Sequence, residues 1–266
     1  MIPFDSVSPE APQPDERWGF NITRNEKPRG EPSTWAPLAE RSFHLPAEFG
    51  RLLFSRLGKR QLPTIADPDL VGHWSFDELR GPWVVDTSGY RNHGLMTSTL
   101  RQVEGKVGKA LEFNGAGFVD IGDADSLDLT EAMTLALWVC PRRKGSMRLI
   151  DKGPAGGADA YLLDTHPENN IRVITRFITH HVPATLPLNE WSHLAITWGA
   201  GKLRVYLNAT LISEADVPTR PLTVTDLPLR LGADSQGSNR FVGLLDEVRV
   251  YRRVLSAVEV AALGDR

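Results

Sequence analysis

The sequence predicts an all-β fold over residues 71–266: two antiparallel sheets packed face to face, closed by a short C-terminal helix. Three observations predict it. Short apolar or alternating runs recur about every 8–15 residues from Val71 onward. Clusters of Gly, Pro, Asn and Asp separate them. Only one segment carries helical signals, so a parallel sheet with alternating helices is excluded.

The elements follow in order. Strands are expected near 71–76, 83–85, 109–113, 117–121, 133–140, 147–151, 160–164, 171–177, 191–198, 202–207, 210–215, 228–231 and 241–251. Leu203–Leu207 and Thr210–Ser213 flank Asn208-Ala209, a tight-turn signal that predicts a hairpin. Asn114-Gly115 likewise suits a type I′ hairpin turn. The helix spans Ala257–Leu263, with Ser256 as N-cap and Glu259 at its third position, the spacing of a capping box.

Upstream of residue 71 the character differs. Residues 1–16 hold Pro3, Pro9, Pro12 and Pro14 and read as a disordered lead. Residues 17–56 contain two strand-like pieces, too few to close a sandwich, and are expected to pack on something else. Residues 57–70 read as a linker.

Composition narrows the function classes. Hydrophobic residues are 41% and charged residues 24% of the 266, enough for a sizeable core. The formal net charge of −3 leaves no electrostatic footprint for nucleic acid. No apolar run approaches the roughly 18 residues a membrane helix needs. The N-terminus has neither a basic start nor an apolar stretch, so it does not read as a signal peptide. The chain is then either cytoplasmic or a piece of a longer exported protein. The single cysteine, Cys140, excludes an intramolecular disulfide and reads as a small buried hydrophobe.

A series of motifs supports the same fold. Val71–Glu78 reads VGHWSFDE, followed by Asp86–Gly89 (DTSG) and Arg91–Gly94 (RNHG). Gly105–Gly115 reads GKVGKALEFNG, and Phe118–Asp120 follows. Thr134–Val139 (TLALWV), Glu190–Ala195 (EWSHLA) and Gly243–Tyr251 (GLLDEVRVY) complete the order. This series resembles the laminin-G-like domains of the concanavalin A-like lectin/glucanase type over nearly 190 residues. The resemblance implies a jellyroll sandwich, a non-catalytic binding module with a carbohydrate or protein ligand, and an extracellular or cell-envelope setting within a larger protein. The stretch Gly105–Lys109 does not match the spacing of a phosphate loop and precedes a strand. Trp138 and Trp198 lie within apolar alternation and read as core rather than as ligand platforms.

Site candidates are of three kinds. Asp246 interrupts an apolar strand, and alternation puts it on one face with Val248 and Val250, so its carboxylate needs a partner. The family resemblance implies a structural calcium there, with Asn114 and Asp77 as further ligands. Backbone N–H groups or an arginine are the alternatives. Ligand-binding residues are expected in rim loops 151–161, 166–170, 177–187 and 234–240, with Lys152, Tyr161, His180, His181 and Arg240 as candidates. His180 and His181 are adjacent and cannot share one metal if they lie on a strand. For catalysis, glucanases of this fold carry Glu-x-Asp-x-x-Glu on one strand, and this sequence has no such motif. Asp120, Asp123, Asp125 and Asp128 read as loop acids.

The N-terminal stretch resembles the closing segment of a family 9-type carbohydrate-binding domain in Arg17–Arg24, Ser33–Pro37 and Phe43–Phe54. That resemblance implies a missing upstream part of the same protein. Polysaccharide or glycoprotein is the expected partner class. The alternatives are a spacer domain without ligand and, less supported, a glycan-active hydrolase or lyase with two carboxylates roughly 5–9 Å apart on one face.

Overall fold

The computed structural model describes residues 66–98, 100–155 and 160–265. The readings placed on 1–16, 17–56 and most of the 57–70 linker lie outside the described residues.

The strands in chain order are β1 (Leu70–Trp74), β2 (Leu79–Arg80), β3 (Trp83–Val84), β4 (Gly94–Met96), β5 (Arg101–Glu104), β6 (Lys109–Asn114) and β7 (Val119–Gly122). A 3-10 turn, Asp125–Leu127, precedes β8 (Met133–Pro141), β9 (Met147–Asp151), β10 (Tyr161–Thr165), β11 (Asn170–Thr175) and β12 (Ile178–Thr185). Then come β13 (Ser192–Gly199), β14 (Lys202–Leu207), β15 (Thr210–Asp216), β16 (Leu229–Leu231), β17 (Val242–Tyr251) and the helix α1 (Ala257–Gly264).

They form two antiparallel sheets. Sheet A runs β15-β14-β13-β8-β17-β6-β5, with β1 also paired to β17. Sheet B runs β12-β11-β10-β9-β16-β7-β4-β3-β2. The core lies between them. Leu135, Leu137 and Val139 of β8 and Leu194, Ile196 and Trp198 of β13 meet Leu163, Ile171, Val173, Val119 and Leu231 of sheet B. Alternation on β11 is plain, with Ile171 and Val173 buried and Arg172 and Ile174 half-buried on the other side. β8 shows no alternation because both its faces are covered. Ala136 and its cross-strand partner Ala195 are small, and α1 packs over them through Val260 and Leu263 beside Tyr206 and Tyr251.

β17 carries the main irregularity. Asp246 pairs with Trp138 and Arg249 with Ala136, so β17 has one extra residue there. The extra residue is a bulge, with Glu247 at φ 51°. It reverses the inside–outside parity. Leu245, Val248 and Val250 face the core, whereas Asp246 shares the outer face of sheet A with Trp138. The expected common face of Asp246 with Val248 and Val250 is therefore corrected: strict alternation fails at the bulge.

Other expectations divide. Asn208 (φ 48°) and Ala209 (φ 64°) both adopt the left-handed conformation of a type I′ turn, and the β14–β15 hairpin is as expected. Asn114-Gly115 is not a hairpin. It joins β6 in sheet A to β7 in sheet B; Gly115 has φ 81°, and the Asn114 carboxamide accepts the Ala116 N–H at 2.9 Å. The segment read as a loop at 177–187 contains β12, whose Pro183 is tolerated because β12 is an edge strand. β2, β4 and β5 are two to four residues long and went unpredicted. Cys140 is buried, which raises its thiol pKa, in keeping with a packing role.

The capping box on α1 is present in full: the Ser256 hydroxyl accepts the Glu259 N–H at 3.3 Å, and the Glu259 carboxylate accepts the Ser256 N–H at 2.8 Å. Ser256→Ala removes the cap and is expected to cost about 1 kcal/mol. In a thermal melt that is a drop of about 2–4 °C; an unchanged melting point would show that α1 does not unfold with the sandwich.

Candidate functional site

On the outer face of sheet A, α1 packs over Ala136 and Ala195, and the β5–β6 turn lies against Asp246. The outer face of sheet B is more open, and cross-strand register lays out one row on it. Trp83 of β3 pairs with Leu95 of β4, Leu95 with Asp120 of β7, Asp120 with Arg230 of β16, and Arg230 with Asp151 of β9. Their inward neighbours, Val84, Val119, Ile121 and Leu231, belong to the core, which fixes the direction of the row.

One end of the row is apolar and exposed. Trp83 is 46% exposed and Leu95 37%. Beside them, Arg230 donates to Asp120 through Nε at 3.0 Å. The same guanidinium donates to the carbonyls of Asp234 and Ser235 at 3.0 and 2.8 Å, and lies 4.7 Å from the centroid of the Phe118 ring. Three further partners thus hold this charge pair in one geometry.

Toward β12 the row becomes a buried network. Asp164 accepts from Arg172 Nε at 2.9 Å and from Arg148. Asp151 accepts the Gly153 N–H at 2.8 Å and lies 3.0 Å from Arg148 Nε. Burial pushes the Asp151 carboxyl up to about 6, against the pull of the Gly153 N–H and Arg148. This end is a sealed ion network with no exposed carboxylate pair.

The predicted ligand residues separate into buried and accessible ones. Lys152 is 1% exposed. Its ammonium sits 2.7 Å from Asp123 and 3.1 Å from Asp128, and donates to the Thr225 and Leu227 carbonyls. Tyr161 is 2% exposed, and its hydroxyl donates to the Leu127 carbonyl at 3.0 Å. Both are corrected: they are internal struts, and burial of their polar ends removes them from any rim. His180 and His181 lie on β12, not in a loop, and face opposite sides. His180 Nε2 reaches Ser213 Oγ at 2.8 Å, while His181 stands opposite Arg172 with its ring 6.1 Å from that of His166. Arg240 is half-buried over the edge of the row, donating to the Gly237 carbonyl at 2.7 Å and lying 5.9 Å from the Phe118 ring. Trp83 lies on a strand that was expected, at 83–85, but its place beside Leu95 follows only from the strand pairing. Its one signal was a large aromatic flanked by Gly81-Pro82.

The three residues expected around calcium do not converge. Asp246 Oδ2 accepts the N–H groups of Lys106 and Val107 at 2.8 and 2.9 Å. Asp77 accepts the Lys109 N–H at 2.8 Å, at the other end of the same turn. Asn114 lies at the far end of β6, opposite Val242 rather than Asp246. Calcium takes 6–8 oxygens; here N–H donors point at the carboxylates, and among the described residues no group of three or more acidic, histidine or cysteine side chains could hold a metal. The donor set does not fit the ion. Burial, and then the neighbouring Glu247 charge, push Asp246 up to about 7, and its Oδ1 has no hydrogen-bond partner.

Two antiparallel sheets packed face to face over one core define a jellyroll sandwich. The chain belongs to the concanavalin A-like lectin/glucanases superfamily, whose model matches residues 113–261, more than half of its length. A curated relative is the adhesion G-protein coupled receptor V1 of Danio rerio, 23% identical over 145 residues. That match covers 50% of this chain, and the chain spans 2% of the receptor. Domain 4 of AbnA, a GH43 extracellular arabinanase from Geobacillus stearothermophilus, was solved in complex with arabinotriose. It superposes with a TM-score of 0.60 at 22% identity, covering 74% of this chain and 98% of that domain. The binding domain of Paraclostridial Mosquitocidal Protein 1 superposes at 0.56 with 18% identity, covering 74% and 52%. A botulinum neurotoxin type C structure, whose cell entry depends on two ganglioside molecules, gives 0.56 at 10% identity, covering 74% and 51%. At these identities the likeness is one of fold. Among the described residues no helix is long and apolar enough to cross a membrane.

Two predictions follow from the buried charges. The Asp246 pKa is raised from about 3.9 in the unfolded chain to about 7 in the fold. The contribution of the protonated form is full below about pH 4 and is lost as pH rises through about 7. Asp246→Asn mimics the protonated acid. In denaturant titrations the wild type should therefore weaken relative to the variant between those pH values; a difference independent of pH would refute the assignment. Lys152→Met should destabilise by about 3 kcal/mol, because it strands Asp123, Asp128 and two carbonyls. A change within 0.5 kcal/mol, roughly that of an ordinary surface site, would show that Lys152 is not a strut.

Proposed function

We propose that this chain is a non-catalytic carbohydrate-binding module that holds its ligand on the outer face of sheet B, across Trp83 and Leu95. The exposed indole of Trp83 carries the reading. It stands on a strand rather than a mobile loop, with an apolar cross-strand neighbour and a fixed carboxylate–guanidinium pair in the next strands. Single exposed hydrophobics are ordinary on protein surfaces. A cross-strand pair bordering a locked polar pair is not. A flat aromatic face suits the C–H face of a sugar ring. Asp120 accepts and Arg230 donates hydrogen bonds, the two roles that neighbouring hydroxyls require. Because Phe118 and two carbonyls already hold Arg230, little side-chain entropy is lost on binding.

The arabinotriose complex of the AbnA domain makes arabinan oligosaccharides the first ligands to test. By the same similarity the module belongs to a larger exported protein.

Calorimetric titration with arabinotriose, preceded by a glycan screen, tests this. Trp83→Ala is expected to lower affinity at least about tenfold, with the melting point unchanged because the side chain is outside the core. Full affinity in Trp83→Ala would move the ligand elsewhere on the domain. Absence of any glycan ligand for the wild type would favour the spacer reading.

A further inference from the structure

The row on the outer face of sheet B has a direction. It begins one strand beyond Trp83, because Arg80 of β2 is the cross-strand partner of Trp83 and β2 is the edge of the sheet. Exposure then falls at every step. The Arg80 side chain is 68% exposed, Trp83 46% and Leu95 37%. The Asp120 and Arg230 side chains follow at 28% and 16%, and Asp151 at 1%. Leu162, the partner of Asp151 on β10, shares its outward side and is 3% exposed.

A loop closes the face at that end. The Arg230 guanidinium points outward, and the Asp234 and Ser235 carbonyls accept from it, so the 234–240 loop stands outside the sheet there. The Ala155 N–H donates to Ser235 Oγ at 2.9 Å, and the Arg148 N–H to the Asn239 carbonyl at 2.9 Å, which ties the loop to β9 and to the segment after it. Inside the loop, the Asp234 carboxylate accepts the Gln236 and Ser238 N–H groups at 3.0 and 2.7 Å and the Asn239 carboxamide at 2.8 Å. Gly237 lies so near Phe118 that a Cβ there would stand 3.1 Å from the ring. The platform is therefore a ramp, open at the β2 edge and blind just past Arg230.

We propose that this face binds one end of a neutral glycan chain, with the terminal residue at Asp120 and Arg230 and the next residues leaving over Leu95 and Trp83 toward the β2 edge. The inference rests on the reading of this face as a carbohydrate site and adds which part of the polymer it takes. A chain that continued past Arg230 would meet the 234–240 loop. Displacing that loop would strip Arg230 and Asp234 of their partners, and an unpaired polar group costs more than a new hydrogen bond returns. A chain that ends at Arg230 leaves the loop in place. Arg230 and Trp83 lie about 14 Å apart by strand spacing. The ramp thus holds a few sugar residues, and further residues hang free beyond β2 and add nothing.

The test is calorimetric titration of the full chain with arabinobiose, arabinotriose, arabinohexaose and a linear arabinan of known length. The two ends of a chain differ chemically, so one module should bind per chain at every length, with an affinity that stops rising soon after the trisaccharide. Cutting the polymer with an endo-acting arabinanase should raise the number of bound modules in proportion to the ends created. Several modules on each long chain, with no gain on cutting, would overturn the proposal and leave the platform standing as a mid-chain site. Asp120→Asn, at the blind end, should lower affinity at least about fivefold for the disaccharide and the hexasaccharide alike. A loss confined to the hexasaccharide would reverse the direction and overturn it as well. No binding anywhere in the series would overturn the chain-end reading; full affinity in Trp83→Ala would take the platform with it.

Discussion

β17 holds one residue more than β8 between Asp246 and Arg249, and the layout of sheet A depends on where that residue goes. Glu247 takes it up at φ 51°, an uncommon conformation for a residue with a side chain. Before the bulge β17 pairs with β6; after it, with β1. One strand thus serves two neighbours in succession along one edge while β8 follows the whole of the other. The bulge also turns Asp246 outward, where its carboxylate caps the turn between β5 and β6. Gly105 and Gly108 are needed there because a Cβ on either would stand 2.6 Å from the Asp246 carboxylate or 2.2 Å from that of Asp77. Glu247 is held by His73 at 3.3 Å and by Arg249; although burial opposes it, these partners keep its carboxyl below the usual range. The strained backbone is over-determined by its surroundings, as such residues must be.

The two outer faces diverge from this point. The centre of sheet A's outer face carries internal polar contacts and α1. His193 lies there beside Trp138, with rings 5.2 Å apart, and burial followed by the Arg249 charge lowers it to about 4. Sheet B buries ion pairs at the β9–β11 end and leaves the β3–β4 end to solvent.

How much of this was legible follows from what each signal reports. Long strands with a covered face announced themselves: β9 and β14 fall on their expected bounds, and the α1 capping box is read directly from Ser256 and Glu259. β2, β4 and β5 did not, because strands of two to four residues carry no period to read. β12 was hidden by Pro183, whose usual meaning changes at a sheet edge. The site was less legible than the fold. Lys152 and Tyr161 looked like loop residues because burial of a polar tip depends on partners, Asp123, Asp128 and Leu127, that sequence distance conceals. Asp246 was recognised as needing a partner, but the bulge altered its face and N–H groups became that partner. Trp198 is core, as read, and Trp83 gained meaning only when register placed Leu95, Asp120 and Arg230 beside it.

The pairing of β1 with β17 has a mechanical side. Leu70 faces Tyr251, and the Arg252 N–H donates to the Asp69 carbonyl at 2.9 Å, so the chain enters and leaves this sandwich at the same end of one antiparallel ladder. Tension drawn through the flanking chain would first lift α1 from Ala136 and Ala195. It would then load the β1–β17 bonds one after another, as a zipper is opened, rather than all together in shear. In a tethered, load-bearing protein this domain would be a link that yields early, starting from the β1–β17 ladder.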